Sequence, residues 1–252
     1  MSGPRRARWR IALFTVSALV AALAAVTAAV WAYTHATGVS TASIVGGALV
    51  SLDGRTVSVT TALAPCGETD TLIAAEQPAR VTLTLEYTYS KHPSCTGMPA
   101  FAVYSVRLQA PLRHRRLVDG VSGKPVPFFD TRGILRPGYL PPGYAFRYDA
   151  PDASELLTYQ FPYLALPRQP GVSCSQLYSA SDDDLLVIMQ ATGGTLGWPA
   201  KIRPRAVTVR GHRALAIPGR ISWTQDSQMI VVATNNSALP MDALIRVADS
   251  VG

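Results

Sequence analysis

GRISWTQDSQMIVVATNNSALPMDALIRVADSV, residues 219–251, carries the clearest succession of elements in the chain. ISWTQ and MIVVAT are short runs rich in β-branched and aromatic residues. The polar turn Gln225-Asp226-Ser227-Gln228 lies between them, so the pair reads as a hairpin. Pro240 then suits a first helical position, where its missing N–H is not needed. Asp242 follows in the first turn, where a carboxylate meets the positive helix end. Met241, Leu244, Ile245, Ala248 and Val251 fall at helical spacing and make one apolar stripe. The stripe predicts a helix packed on the sheet that the preceding strands build.

Upstream, YAFRYDA, LLTYQF, LLVIMQAT, AVTVR and ALAIPGRISW read as further strands, and Arg210-Gly211-His212 reads as a turn. Residues 132–252 are therefore expected to form an antiparallel sheet with a C-terminal helix on one face, an α+β unit. GILRPGYLPPGYAF, 133–146, is dense in Pro and Gly and reads as the entry to that unit. The region before it has a different rhythm. Asp53-Gly54 lies between two apolar runs, a hairpin signal. Val57 and Val59 alternate with Ser58 and Thr60, and Val81, Leu83, Leu85, Tyr87 and Tyr89 share one face of a longer strand. Ala102, Tyr104, Val106 and Leu108 do the same. Short alternating strands between turn signals predict a β-sandwich over residues 44–128.

The net charge of +7 is partly a property of the N-terminus. Arg5, Arg6, Arg8 and Arg10 precede any acid; without them 19 basic face 16 acidic groups, a net of +3 over residues 34–252. No basic stripe or nucleic-acid motif remains, so nucleic acid is not an expected partner. Residues 11–33 are 23 uncharged residues, and a helix needs about 20 apolar residues to cross a bilayer. This stretch is read as a retained transmembrane helix rather than a cleaved signal. The arginines of residues 1–10 would stay in the cytoplasm by the positive-inside rule. Residues 34–43 read as a linker, and everything beyond lies outside the cytoplasm, a single-pass cell-membrane protein.

Such a location permits disulfides. Cys66 and Cys95 flank strands of the first unit and are expected to pair, leaving Cys174 buried. No Cys/His cluster has zinc-ligand spacing.

The ending strand–turn–strand–helix, with Trp223, Met229–Ala233, Asp242, Leu244, Ala248 and Ser250, resembles the end of a family of bacterial cell-envelope domains. LPPGY, 140–144, resembles their entry, and SCSQLYSASDDDLLVIMQAT, 173–192, their central hairpin. These domains are distantly similar to the LolA/RseB half-barrel, in which a curved antiparallel sheet wraps a helical side. The resemblance implies binding of a lipid or a partner peptide. PLRHRRLVDGVSGKPV, 111–126, resembles a PLG-x-R-x-V-x-D-x-x-T-G-x-x-V pattern of exported actinobacterial-type proteins. Arg113 stands where that pattern has Gly, Leu117 where it has Val, and Ser122 where it has Thr. Neither resemblance supplies a catalytic residue.

Arg113, His114, Arg115 and Arg116 form a cationic cluster suited to an anion, a phosphate head group or an acidic partner; a solvated loop would look the same. Tyr139, Tyr144, Tyr159, Phe161, Trp198 and Trp223 are candidates to line a ligand cavity, and equally candidates for core. Asp182-Asp183-Asp184 lacks the spacing of a calcium loop. No HExxH, GxSxG, SxxK, GxGxxG or P-loop motif is present. The expectation is a non-enzymatic binding protein without a cofactor, recognising a lipid, peptide or envelope protein. The alternatives are a regulator acting on an anti-sigma factor or other membrane partner, and an envelope hydrolase.

Overall fold

The computed structural model describes residues 26–27, 37–44, 46–62, 67–90, 101–151, 172–181, 183–192 and 202–252. Among these residues fifteen strands form three sheets, and a ten-residue α-helix lies at the C-terminal end. The first sheet is built on β5 (Arg80–Ser90). β4 (Gly67–Glu76) pairs along one side of it. β1 (Thr37–Ala42) and β7 (Arg116–Asp119) also pair with it, β1 antiparallel and β7 parallel. The second sheet runs β6 (Phe101–Arg107), β3 (Thr56–Ala62), β2 (Ala48–Val50) and β8 (Phe128–Asp130), with β8 parallel to β2. Val57, Val59, Leu72, Val81, Leu83 and Leu117 form one buried cluster between the two sheets. They are the same-parity residues of alternating strands, as a sandwich requires. Residues 34–43, expected as a linker, hold β1 instead. Its small, β-compatible Thr, Val and Ser residues supply a partner for the C-terminal half of β5.

Asp119 ties this unit together. It is 2 % exposed and accepts hydrogen bonds from the Ser43 hydroxyl, the Ser122 hydroxyl and the Ile44, Val121 and Ser122 N–H groups. Gly120 follows because a Cβ there would collide with Thr84 Oγ1 and lie 3.1 Å from Leu83 O.

The third sheet has seven antiparallel strands in the order β12 (Arg205–Val209), β13 (His212–Ile217), β14 (Arg220–Gln225), β15 (Gln228–Thr234), β11 (Leu185–Thr192), β10 (Ser173–Ser179) and β9 (Ala145–Pro151). The hairpin expected from ISWTQDSQMIVVAT is present, with Gln225 paired to Gln228. Asp226 and Ser227 between them both have positive φ, 50° and 62°, the primed turn that matches strand twist. The helix α1 spans Met241–Ser250 with Pro240 at its N-cap, one place earlier than expected. Leu244, Val247, Ala248 and Val251 are buried against Leu186, Ile188, Ile221, Trp223, Ile230 and Val232. Each large aliphatic side chain so covered contributes roughly 1.5–3 kcal/mol. A ten-residue helix needs that packing, since isolated helices this short are marginal in water.

The opposite sheet face is covered as well. Leu177, Leu185, Val187, Met189, Met229 and Val231 are buried there, with Val103 of β6 packed on the cluster. LLVIM and MIVVA are thus continuous apolar runs because both of their faces are buried. Segment 133–140 crosses the helix side as a strap. Leu135 O accepts from Gln176 Nε2 and Gln190 Nε2, and Arg136 exchanges backbone bonds with Gly252. The two units meet where Leu49 and Phe129 pack on Cys174.

The expected fold class needs one correction. No helix among the described residues is long and apolar enough to cross a membrane. Of residues 11–33 only Val26 and Thr27 are described, both helical, with Val26 61 % exposed. Nine of these 23 residues are alanine, whose methyl group adds little transfer energy. Among the described residues the fold is mainly β with a C-terminal helix, and they do not support an N-terminal transmembrane helix. The rest of that stretch, like the tail 1–10 expected in the cytoplasm, lies outside the described residues.

Candidate functional site

The cationic cluster of residues 113–116 lies in a loop that two engaged groups hold in place. Leu112 is buried in the sandwich core, its N–H donates to Gly54 O, and Arg115 N–H donates back to Leu112 O. The Arg115 side chain is 12 % exposed and its guanidinium is 2.6 Å from the Glu76 carboxylate. It also donates to the carbonyls of Ala110 and Pro111. Glu76 in turn accepts from the Gln109 and Ala110 N–H groups. Burial would raise the Glu76 carboxyl, but Arg115 and these amides outweigh it and hold it below its usual range. Arg115 is therefore a structural residue, and it neutralises the adjacent acid.

The other cations face an open groove of about 740 Å3. Its walls are Pro78–Arg80 on one side and Pro111–Arg116 with Val118 on the other. Arg80, Arg113, His114 and Arg116 are exposed there. No acidic residue lines the groove. Arg80, absent from the cluster read in the sequence, arrives because β7 pairs parallel to β5 with Arg116 directly opposite Arg80. A cross-strand partner 36 positions away leaves no local signal. Gln77 Oε1 accepts from Arg80 Nε at 2.7 Å and holds that side chain.

Two features of the groove work against stability. Like charges directly opposite on neighbouring strands are destabilising. Arg113 also has φ of 50°, the left-handed region that a residue with a Cβ enters at a cost of about 1–2 kcal/mol. The resemblance had placed glycine at this position, and the backbone here has the conformation that glycine adopts freely. Strain of this kind is concentrated at binding sites, where surrounding contacts hold it in place.

The aromatic candidates are distributed otherwise. Trp223 is 2 % exposed in the core beneath α1, and Tyr139 and Tyr144 are half-buried against the same cluster. The Arg246 guanidinium stacks over the Tyr139 ring at 4.2 Å. Tyr159, Phe161 and Trp198 lie outside the described residues. So do Cys66 and Cys95; among the described residues there is no disulfide, and Cys174 is a free, buried thiol. No group of His, Cys, Asp and Glu side chains suited to a metal occurs among the described residues.

Comparison with protein-family models, curated proteins and solved structures gives no match. The resemblance to the LolA/RseB half-barrel accordingly rests on the quoted motifs alone.

Proposed function

We propose that the protein is a non-enzymatic, extracytoplasmic binding protein whose groove at residues 78–80 and 111–118 takes a phosphate group. The carrying observation is the convergence of Arg80, Arg113, His114 and Arg116 on a groove without an acid, while Arg115 is withdrawn onto Glu76. Guanidinium groups bind phosphate through paired N–H donors. The open shape suits a group carried on a larger ligand, such as a lipid head group, and free phosphate shares its chemistry. The extracytoplasmic setting is supported by the charge order of residues 1–33, four arginines before an uncharged run.

The test is binding of inorganic phosphate and, separately, of phosphatidylglycerol vesicles to the wild type and to Arg80→Glu/Arg116→Glu. Loss of both ligands in the variant is expected, and vesicle binding without phosphate binding assigns the ligand as a lipid surface. Equal binding by wild type and variant rejects the groove. For the setting, a reporter fused at the C-terminus that works only in the cytoplasm rejects an extracytoplasmic protein.

A further inference from the structure

The seven-stranded sheet ends at β12, which pairs with β13 on one side only. The hairpin between them turns through Arg210 and Gly211, with Val209 opposite His212. Arg210 and Gly211 have φ of 50° and 80°, a two-residue primed turn. In such a hairpin the closing pair exchanges both backbone hydrogen bonds, and bonded and non-bonded pairs alternate from there. Val209, Val207 and Arg205 therefore bond to β13. Ala206 and Thr208 turn their N–H and C=O groups outward to the open edge. Both residues are exposed, and no strand among the described residues pairs with that edge.

The charge along this strand and its turn is of one sign. Residues 201–213, KIRPRAVTVRGHR, hold five Lys and Arg residues and no acid. Arg210 is engaged, donating its N–H to Asp249 and a guanidinium N–H to Val251 O. Arg203, Arg205 and Arg213 are exposed, and Arg213 lies directly opposite Thr208. Pro204 precedes the strand, where its missing N–H does not interrupt the ladder. Edge charge of this kind blocks uncharged strands and, by like-charge repulsion, a second copy of the same edge. It leaves one strand chemistry as complement, an extended segment carrying carboxylates.

We infer that β12 is a docking edge for an extended acidic peptide, which adds to the sheet as an eighth strand. Main-chain bonds to Ala206 and Thr208 supply register, Arg203 and Arg205 select for glutamate or aspartate at alternate positions, and Arg213, paired with Thr208, adds positive charge on the other face of the sheet. This edge is separate from the groove of the sandwich, so neither assignment depends on the other.

The experiment uses the full chain and a labelled peptide of alternating valine and glutamate, with a valine–lysine peptide as comparison. Fluorescence anisotropy at low salt is expected to show binding of the acidic peptide at least about tenfold tighter than of the basic one. Arg205→Glu/Arg213→Glu is expected to remove that preference. Thr208→Pro deletes an outward N–H without touching the β13 ladder, and is expected to weaken binding by about fivefold. Hydrogen exchange at the Ala206 and Thr208 amides is expected to slow when the acidic peptide is added, and this reading needs no variant to fold. Arg80→Glu/Arg116→Glu should bind the acidic peptide as the wild type does, and a loss there would move the peptide to the groove and overturn the assignment. Equal binding of the two peptides, or unchanged exchange at both amides, overturns it too.

Discussion

Replacing Arg113 by glycine is expected to make the protein more stable and a poorer ligand binder at once. Arg113 holds φ of 50°. Relieving a left-handed non-glycine backbone returns about 1–2 kcal/mol. Glycine also loosens the unfolded chain, which takes back about 0.5–1 kcal/mol. The net is a gain of about 0.5–1 kcal/mol, and a domain of this size converts 1 kcal/mol into about 2–4 °C of melting temperature. Arg113→Ala keeps the strained backbone and removes the same guanidinium, so its melting temperature should stay close to that of the wild type. A charge-assisted hydrogen bond contributes about 1.5–3 kcal/mol, so each variant should bind phosphate about tenfold or more weakly. Differential scanning fluorimetry and phosphate titration by calorimetry read the two quantities on the same samples. An Arg113→Gly protein that melts at or below the wild type would show that the position carries no strain. Unchanged affinity in both variants would show that Arg113 does not reach the ligand.

Asp119→Asn should destabilise by about 2 kcal/mol near neutral pH, measured by urea unfolding. Burial pushes the Asp119 carboxyl up, but the bonds from Ser122, Ser43 and Ile44 outweigh it and bring it down to about 2. A carboxyl held below its unfolded value near 3.9 stabilises the fold above that value. The difference between wild type and Asp119→Asn should therefore vanish as pH falls from about 4 to 2, and a pH-independent difference would refute the assignment. Cys174, fully buried with its thiol pushed by burial up to about 12, should resist iodoacetamide in the folded protein and label only on unfolding, as read by peptide mass mapping. Trp223→Ala should cost about 3–5 kcal/mol, seen as a large drop in melting temperature, because the indole fills the core beneath α1.

The C-terminal half was legible because its signals are local. Turn residues with positive φ, a proline at the helix start and an i, i+3, i+4 stripe all act within a few positions. The stripe even so missed Val247, which is fully buried. Val247 lies one helical step, i+3, from Leu244 and packs in the same cluster beneath the helix. The sandwich strands were legible from period-2 alternation, whereas the parallel pairings β5–β7 and β2–β8 were not, since strands joined by long connections leave no sequence pattern at the pairing. That is why Arg80 was missed while its neighbours across the groove were found. The strap at 133–140 read as a boundary because Pro and Gly mark irregular backbone without saying what it touches. Gln176 and Gln190, polar residues inside apolar runs, were the available signal: a fully buried amide needs a partner, and both find Leu135 O.

Two sets of arginines differ in their surroundings, and the difference supports reading the second set as recognition groups. Arg115, Arg136 and Arg210 each have an acceptor that fixes a loop or the chain end: Glu76, Asp149 and Val251 O. Such pairs satisfy groups that would otherwise be costly to enclose. Arg80, Arg113 and Arg116 sit where local rules would choose otherwise, two facing each other across adjacent strands and one in a glycine conformation. Arg203, Arg205 and Arg213 surround an open strand edge with no acid among residues 201–213. A surface selected for solubility alone intersperses both signs of charge. Here net charge is small over residues 34–252, yet two places gather several arginines without an acid among their own residues. The energetic disadvantage of that gathering is recovered when a phosphate or a carboxylate-bearing strand occupies the site. Removing the ligand-facing arginines should therefore leave the fold as stable or more so, whereas removing Arg115 or Arg136 should weaken it.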